Sequence, residues 1–486
     1  MTSTNTNTAP AKPRLSFWQI WNVSFGFLGV QFGFALQNAN ASRILSDLGA
    51  DLHSLSLFWL VAPIMGLLIQ PIVGSASDKT WNRLGRRNPY ILAGGIAAAI
   101  GMLLMPNSAT LANFITPLFF GAMMLALMDA SFNLAFQPFR ALVSDMVPAE
   151  QRNIGYSIQS FLINIGAVFG SILPFVLTNV IGLENTASAG TVAPSVIWAF
   201  YIGASVMLGS VLWTVFKTKE YAPGTNGLAS LDKDDIEQSL GNKLADFFGL
   251  MKTMPSTMKQ LALVQFFSWF ALFIMWVYTM PAIAQHIWGI DAKWFDPDYL
   301  ASVGTIPEHI AKAKGTAGDW VGIIFAAYSL FAAIASLVMA KVASKIGRKL
   351  TYALSLIAGG LGYLSIMLIQ KHDPTVVTLI ITHIEVPQGA VALFLPMVGV
   401  GMAWAAILAM PYAILAGSLP VKQTGVYMGI FNFTIAAPQI VSGIFAGWIL
   451  TAIFDNQAIY IIMMAGASMI LAALSVYFVK DGAEEK

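Results

Sequence analysis

The chain contains no cysteine, so it carries no disulfide framework and no thiolate metal site. Charge is scarce. Asp, Glu, Lys and Arg make up 10% of the 486 residues, against about 25% in soluble domains. That scarcity excludes an ordinary soluble globular protein. The net charge of +2 is small and no basic tract is dense, which excludes a nucleic-acid-binding surface. Histidines number only five: His53, His286, His309, His372 and His383. They are scattered rather than clustered. No HExxH, phosphate-binding loop or nucleophile elbow occurs. Enzyme chemistry, a cofactor and a resident metal are therefore not expected.

What fills the chain is apolar. Hydrophobic residues reach 57%, with 41 Gly and 13 Trp, which membrane helices tolerate and use as interface anchors. A bilayer core of about 30 Å needs roughly 20 apolar residues in a helix. Twelve runs meet this: 17–38, 55–77, 89–106, 117–142, 154–180, 192–216, 259–285, 319–342, 350–370, 390–417, 424–451 and 457–480. The opening MTSTNTNTAPAKPR is polar and is expected to be a tail, not a signal peptide.

Residues 217–258 break the pattern with KTKEYAPGTNGLASLDKDDIEQSL and an amphipathic FFGLMKTM. The expected organisation is a tail (1–16), a six-helix half (17–216), a cytoplasmic linker (217–258), a second six-helix half (259–480) and a short tail (481–486). This all-α membrane layout resembles the major facilitator fold, whose substrate site lies between the halves near the midplane. With the N-terminus inside, cytoplasmic segments hold 21 of the 26 basic residues; Arg43, Lys293, Lys312, Lys314 and Lys371 fall outside. Both termini are thus expected in the cytoplasm. The long outer loops 286–318 and 371–389 carry no readable role.

The loop GSASDKTWNRLGRRNP, residues 74–89, joins spans 2 and 3. Gly74, Asp78, Gly85, Arg86 and Arg87 resemble the major facilitator signature of this loop, with extra residues before the second glycine. Asp78 suits a helix N-terminus and an arginine partner, which points to a gate. The second half repeats the pattern weakly in AKVASKIGRKL, with Ser344 at the acidic position.

Span 4 reads LALMDASFNLAFQPFRALVSD over 125–145. At about 100° per residue, Asn133, Gln137 and Arg140 fall within about 80° of Asp129. One polar stripe in an apolar helix must face a cavity or another helix, not lipid. Asp129 is expected near the midplane and Arg140 about 16 Å deeper, toward the cytoplasm. Asp129 is also read as the one acidic residue deep in a span. Desolvation penalises its charge, and such carboxylates mark ion or proton pathways.

Here D-x3-N-x3-Q-P-x-R-A-L-x-x-D resembles the fourth span of plant sucrose/proton symporters and their animal and bacterial relatives, the glycoside–pentoside–hexuronide:cation symporter family. GVQFGFALQ (29–37) and WLVAPIMGLLIQPIVGSASD with LGRRNPYI (59–91) resemble the same proteins. FSWFALFIMWVY (267–278) does so more weakly. The resemblance implies proton-coupled uptake of a disaccharide. It implies that Asp129 couples protons and contacts sugar, that Arg140 is essential, and that Asp145, at the motif's end, belongs with the gate. Plant members have an acidic residue toward the outer end of span 7. MWVYTMPAIAQH has none, which points to a bacterial branch handling maltose or sucrose.

Sugars are held by planar hydrogen-bonding groups and aromatic faces. Candidates besides Asp129, Asn133 and Gln137 are Gln31 and Asn38 in span 1, and Gln159 and Asn164 in span 5. In the second half they are Gln265, Trp269, Trp276, Tyr278, Tyr328, Trp404, Asn432 and Gln439. Pro63, Pro138, Pro411 and Pro438 are expected to bend spans around the cavity. The expected partners are a disaccharide, a proton and the lipid bilayer of the cell's inner membrane, with the carrier acting as a monomer. Sodium coupling, and an efflux carrier or sugar sensor on the same fold, are the competing readings.

Overall fold

The computed structural model describes residues 12–225 and 254–480, except 113, 189, 224, 371, 380 and 417–423. Most of the expected linker, residues 1–11 of the first tail and all of the second tail lie outside the described residues. The first half comprises α1 (Phe17–Ser24), α2 (Gly26–Asp47), α3 (Ser54–Trp59), α4 (Val61–Lys79), α5 (Asn88–Leu104), α6 (Ser108–Leu111), α7 (Pro117–Met146), α8 (Arg152–Asn179) and α9 (Pro194–Lys217). The second half comprises α10 (Ser256–His286), α11 (Pro297–Val303), α12 (Glu308–Ile346), α13 (Arg348–Ile366), α14 (Gln388–Ala392), α15 (Phe394–Ala416), α16 (Thr424–Ala452) and α17 (Ala458–Ser475).

Among the described residues, eleven helices are long and apolar enough to cross a bilayer. The twelfth expected span is the α1–α2 segment. It breaks at Phe25, and α2 carries Gln31, Gln37, Asn38, Asn40 and Arg43. A helix can carry this many polar groups where protein, not lipid, surrounds it. α2 is accordingly packed by α7, α8 and α9 of its own half and by α10 and α12 of the other.

Helix ends differ from the apolar runs in an informative way. α2 continues to Asp47 and α12 begins at Glu308. Arg43, Asp47, Lys312 and Lys314 therefore sit on helices, not in outer loops. Asp129 is not the only acidic residue held inside a helix: Asp319 is buried as well. Hydropathy ended the runs early because these charges lower it, whereas their mutual pairing lets the helix continue.

The loop at 371–389 contains an antiparallel hairpin, β1 (Pro374–Leu379) and β2 (Thr382–Pro387), with Pro374 opposite Pro387. Pro138 lies inside α7, Pro411 inside α15 and Pro438 inside α16. Each removes one helical hydrogen bond.

Among the described residues, Arg43–Asp319, Asp47–Lys314, Leu52–Tyr278 and Ser56–Gly447 join the halves at one end of the molecule. Two glycines allow backbone to meet backbone there. A Cβ on Gly322 would lie 2.2 Å from the Ser171 carbonyl oxygen, and one on Gly447 would lie 2.1 Å from that of His53. At the opposite end Arg140 is exposed.

Candidate binding and coupling site

α7 starts with Thr116, whose hydroxyl accepts from Phe119 N at 3.3 Å, and Pro117 in the first turn. Such a cap sets the helix phase. Phe132 and Phe139 pack on Phe34 and Phe27 of α2, with ring centroids 5.1 and 4.9 Å apart. This aromatic contact brings Asp129 against α2. Gln37 Nε2 donates to Asp129 Oδ1 at 2.8 Å. Both residues are fully enclosed. Gln37 Oε1 and Asp129 Oδ2 have no hydrogen-bond partner.

The rest of the stripe meets α4. Gln70 Nε2 donates to Asn133 Oδ1 at 2.6 Å, and Gln137 Nε2 donates to Gln70 Oε1 at 2.8 Å. Of the two options that the wheel leaves, these three positions satisfy another helix. Asp129 has no open surface in this arrangement, so a direct sugar contact there, implied by the resemblance, requires the helices to move. Arg140 ends the stripe. Its guanidinium lies 4.7 Å from the Phe136 ring centroid, close enough for cation–π attraction.

The second half contributes an aromatic cluster. Trp269 and Trp276 of α10 and Trp404 of α15 form a triangle with centroid separations of 6.3, 5.9 and 5.9 Å. Gln265 Oε1 accepts from Trp269 Nε1 at 3.0 Å, and Gln265 Nε2 has no partner. Trp276 Nε1 adjoins Tyr328 without completing a hydrogen bond. Broad aromatic faces beside an unmet amide donor suit a polyhydroxylated ligand.

Other candidates separate from this cluster. Tyr278 is fully buried and its hydroxyl donates to the Leu52 carbonyl at 3.2 Å. It belongs to the junction between the halves, which corrects its assignment to a sugar-facing wall. Asn164 donates to Ser160 O and Gln439 to Ile435 O, each within its own helix. Gln159 is buried with Oε1 unpartnered. Gln31, Asn38 and Asn432 are half-buried.

The joined end holds a network that sequence reasoning missed. Arg43 Nη1 meets Asp319 Oδ1 at 3.1 Å, and Arg43 Nη2 donates to Asn185 Oδ1 at 2.6 Å. Asn185 Nδ2 donates to Asp319 Oδ2 at 2.9 Å. Lys314 Nζ lies 3.9 Å from Asp47 Oδ1. Ser56 Oγ accepts from Gly447 N at 3.2 Å. Opposite charges from the two halves are thus matched. A cavity of about 440 Å³ adjoins them, lined in part by Asp47, Asn185, Lys314 and α11.

The loop between α4 and α5 is held by ion pairs, with Asp78 in the last turn of α4 rather than at a helix N-terminus. Asp78 Oδ1 meets Arg86 Nη2 at 3.2 Å and Arg87 Nη2 at 2.5 Å. Arg87 Nε reaches Asp145 Oδ2 on α7 at 3.0 Å, and Arg87 Nη1 donates to Ser77 Oγ at 2.6 Å. Gly85 has φ of 115°, a left-handed conformation that favours glycine. Gly74 meets nothing at its Cβ position and contributes its carbonyl to Ser77. Glu220, beyond α9, was not anticipated. Its carboxylate accepts from the backbone N–H of Arg86, Arg87 and Asn88 at 2.8–3.0 Å. Burial pushes the Glu220 carboxyl above its ordinary range, against those three donors, which favour the charged form. In the second half, Ser344 Oγ donates to Lys341 O and Arg348 Nη1 to Ala413 O at 3.0 Å.

The family model described as Major Facilitator Superfamily matches residues 23–304 and 298–486. The chain belongs to the Major Facilitator Superfamily. It is a multi-pass membrane transporter, not an enzyme. "Sucrose transport protein SUC4" of Arabidopsis thaliana is 24% identical over 464 residues, covering 90% of this chain and 85% of that protein. "General alpha-glucoside permease" of Schizosaccharomyces pombe is 24% identical over 290 residues, 56% of this chain and 50% of that one. "Proton-associated sugar transporter A" of Mus musculus is 30% identical over 169 residues, 33% of this chain and 22% of that one. Among solved structures, the nucleoside transporter NupG superposes with a TM-score of 0.57 at 17% identity, covering 95% of this chain and 99% of that one. A peptide transporter POT in complex with sulfate gives 0.63 at 14% identity, covering 96% of each. Both likenesses concern the fold.

Within this superfamily carrier, the missed residues had weak signals. Gln37 stands at the end of the quoted GVQFGFALQ stretch, but only pairing with α7 singles it out from Gln31 and Asn38. Gln70 and Glu220 acquire meaning solely from the elements that they meet.

Proposed function

We propose that this carrier imports a disaccharide of the α-glucoside class, sucrose or maltose, together with a proton. The observation that carries the reading is Asp129, a carboxylate enclosed inside a spanning helix with one amide as its side-chain partner. Intramembrane carboxylates of this kind mark proton pathways. The names of the sucrose, α-glucoside and proton-associated sugar relatives support the same substrate and coupling ion. The tryptophan triangle supports a sugar wall in the second half. The basic-residue asymmetry supports cytoplasmic termini; the proposal places the carrier, as a monomer, in the inner membrane of a cell of the bacterial branch.

In that orientation the joined end faces outward and the chain stands inward-facing. The cycle is short. With the outer end apart, Asp129 takes a proton and the sugar enters between the halves. The loaded, neutral site permits the halves to rock. Sugar leaves inward, and Asp129 then loses its proton under the positive field of Arg140. One proton per neutral sugar moves one charge. At about 2.3 kcal/mol per 100 mV this supports roughly 50-fold accumulation.

The test is uptake of labelled sucrose and maltose into proteoliposomes under an imposed proton gradient. Wild type accumulates sugar only with the gradient, and Asp129→Asn keeps exchange but loses accumulation. Accumulation by Asp129→Asn under the gradient sinks the reading. Accumulation driven by sodium alone replaces the proton with sodium.

A further inference from the structure

The Asp129 carboxylate accepts one hydrogen bond, from Gln37 Nε2 to Oδ1. That leaves two buried oxygens, Asp129 Oδ2 and Gln37 Oε1, with no donor between them. Two orphaned acceptors in one enclosed pair are costly, since each forfeits its hydrogen bonds to water. A carboxyl group and a primary amide are both planar, and each presents two polar atoms side by side. When one amide N–H already meets one carboxyl oxygen, the remaining oxygens can share a hydrogen, provided that one arrives. An added proton on Oδ2 is that hydrogen.

Among the described residues, no charge on the packed elements meets this pair. On α7 the nearest charge is Arg140, eleven residues along, and on α2 it is Arg43, six residues past Gln37. Asp78 and Lys79 lie at the far end of α4, Arg152 is the first residue of α8 and Lys217 the last of α9. α1 and α5 carry no charged residue; of the helices of the other half that pack on α2, α12 sets Asp319 against Arg43 and Lys314 against Asp47, and α10 carries Lys259 and His286 near its two ends.

We infer that Gln37 is the positioning residue for the transported proton: Asp129 Oδ2–H donates to Gln37 Oε1 while Gln37 Nε2–H donates to Asp129 Oδ1, closing an amide–acid pair. The inference rests on the reading of Asp129 as the proton carrier. Loss of the proton leaves two lone-pair-bearing oxygens facing each other and only one bond between these two side chains. α2 also carries Arg43, which binds Asp319 of the other half. The protonation state is thereby linked to the helix that holds the joined end.

Infrared difference spectroscopy on the full carrier in lipid, stepped through pH, reads the pair directly. A protonated-carboxyl C=O band is expected that disappears in Asp129→Asn. In Gln37→Leu, of similar size, this band moves to higher frequency because both hydrogen bonds are lost, and the pH midpoint of proton-driven sugar uptake moves with it. In wild type labelled with 13C-glutamine, a glutamine amide band moves at the same pH as the carboxyl band, and this needs no substitution. If the carboxyl band is unmoved in Gln37→Leu and no amide band accompanies it in wild type, the inference fails while the proton-carrier reading stands. If no carboxyl band is lost in Asp129→Asn, the proton-carrier reading fails and the inference with it.

Discussion

Asp129 is a buried carboxylate and Glu220 a half-buried one, and their surroundings give them different tasks. Asp129 meets one neutral amide within the membrane-spanning core. Glu220 meets three backbone N–H groups at the start of α5, which have no intrahelical partners of their own. It ties the exit of α9 to the Arg86–Arg87 turn. Glu220→Ala strands three part-buried donors. The expected loss is about 1.5–3 kcal/mol per charge-assisted contact at most, not additive across three. A lowered thermal midpoint of the purified carrier checks this. Glu220→Gln, which keeps an acceptor, falls between the two. An unchanged midpoint in Glu220→Ala means that the cap carries no stability.

Helices in this carrier approach through small residues, because lipid offers no hydrophobic drive for their association. α12 meets α8 at Gly322 and α16 meets the start of α3 at Gly447. At 2.2 Å from a carbonyl oxygen, a Cβ at position 322 has no room unless the helices separate. Gly322→Leu is therefore expected to part the halves at the joined end and to favour the opposite orientation. The chain has no native cysteine, so a single cysteine introduced at Ala187, in the adjoining cavity, reports this without background labelling. Faster labelling by a membrane-impermeant reagent is the expected result; an unchanged rate contradicts it.

Across the whole molecule, the joined end is held by paired charges. Arg43 and Asp319 are buried at 2% and 3% exposure, so removing one leaves the other uncompensated. Breaking a buried pair costs about 3–5 kcal/mol. That cost applies only to the joined arrangement, and a shift of this size inverts a two-state population. Arg43→Asp is expected to stop net uptake and raise cysteine labelling at the joined end. The double variant Arg43→Asp/Asp319→Arg is expected to recover part of both. Equal defects in the single and double variants exclude coupling between the two residues.

Residue order alone determined that the chain crosses a membrane many times and divides into two halves. Bilayer thickness demands long apolar helices, and hydropathy records them directly. It also marked the polar stripe of α7 and the Asp78–Arg86–Arg87 turn, since helical spacing and loop charge are local properties. What surrounds Asp129 was not local. Gln37 lies 92 positions from it and Gln70 lies 63 from Asn133; their pairing depends on which helix packs against which. Arg43 looked like an outer-loop charge until the halves came together and set it against Asp319, 276 positions away. Tyr278 looked like a cavity aromatic until its hydroxyl met Leu52. Tertiary structure decided these roles, because a buried polar group is defined by the partner that replaces its water.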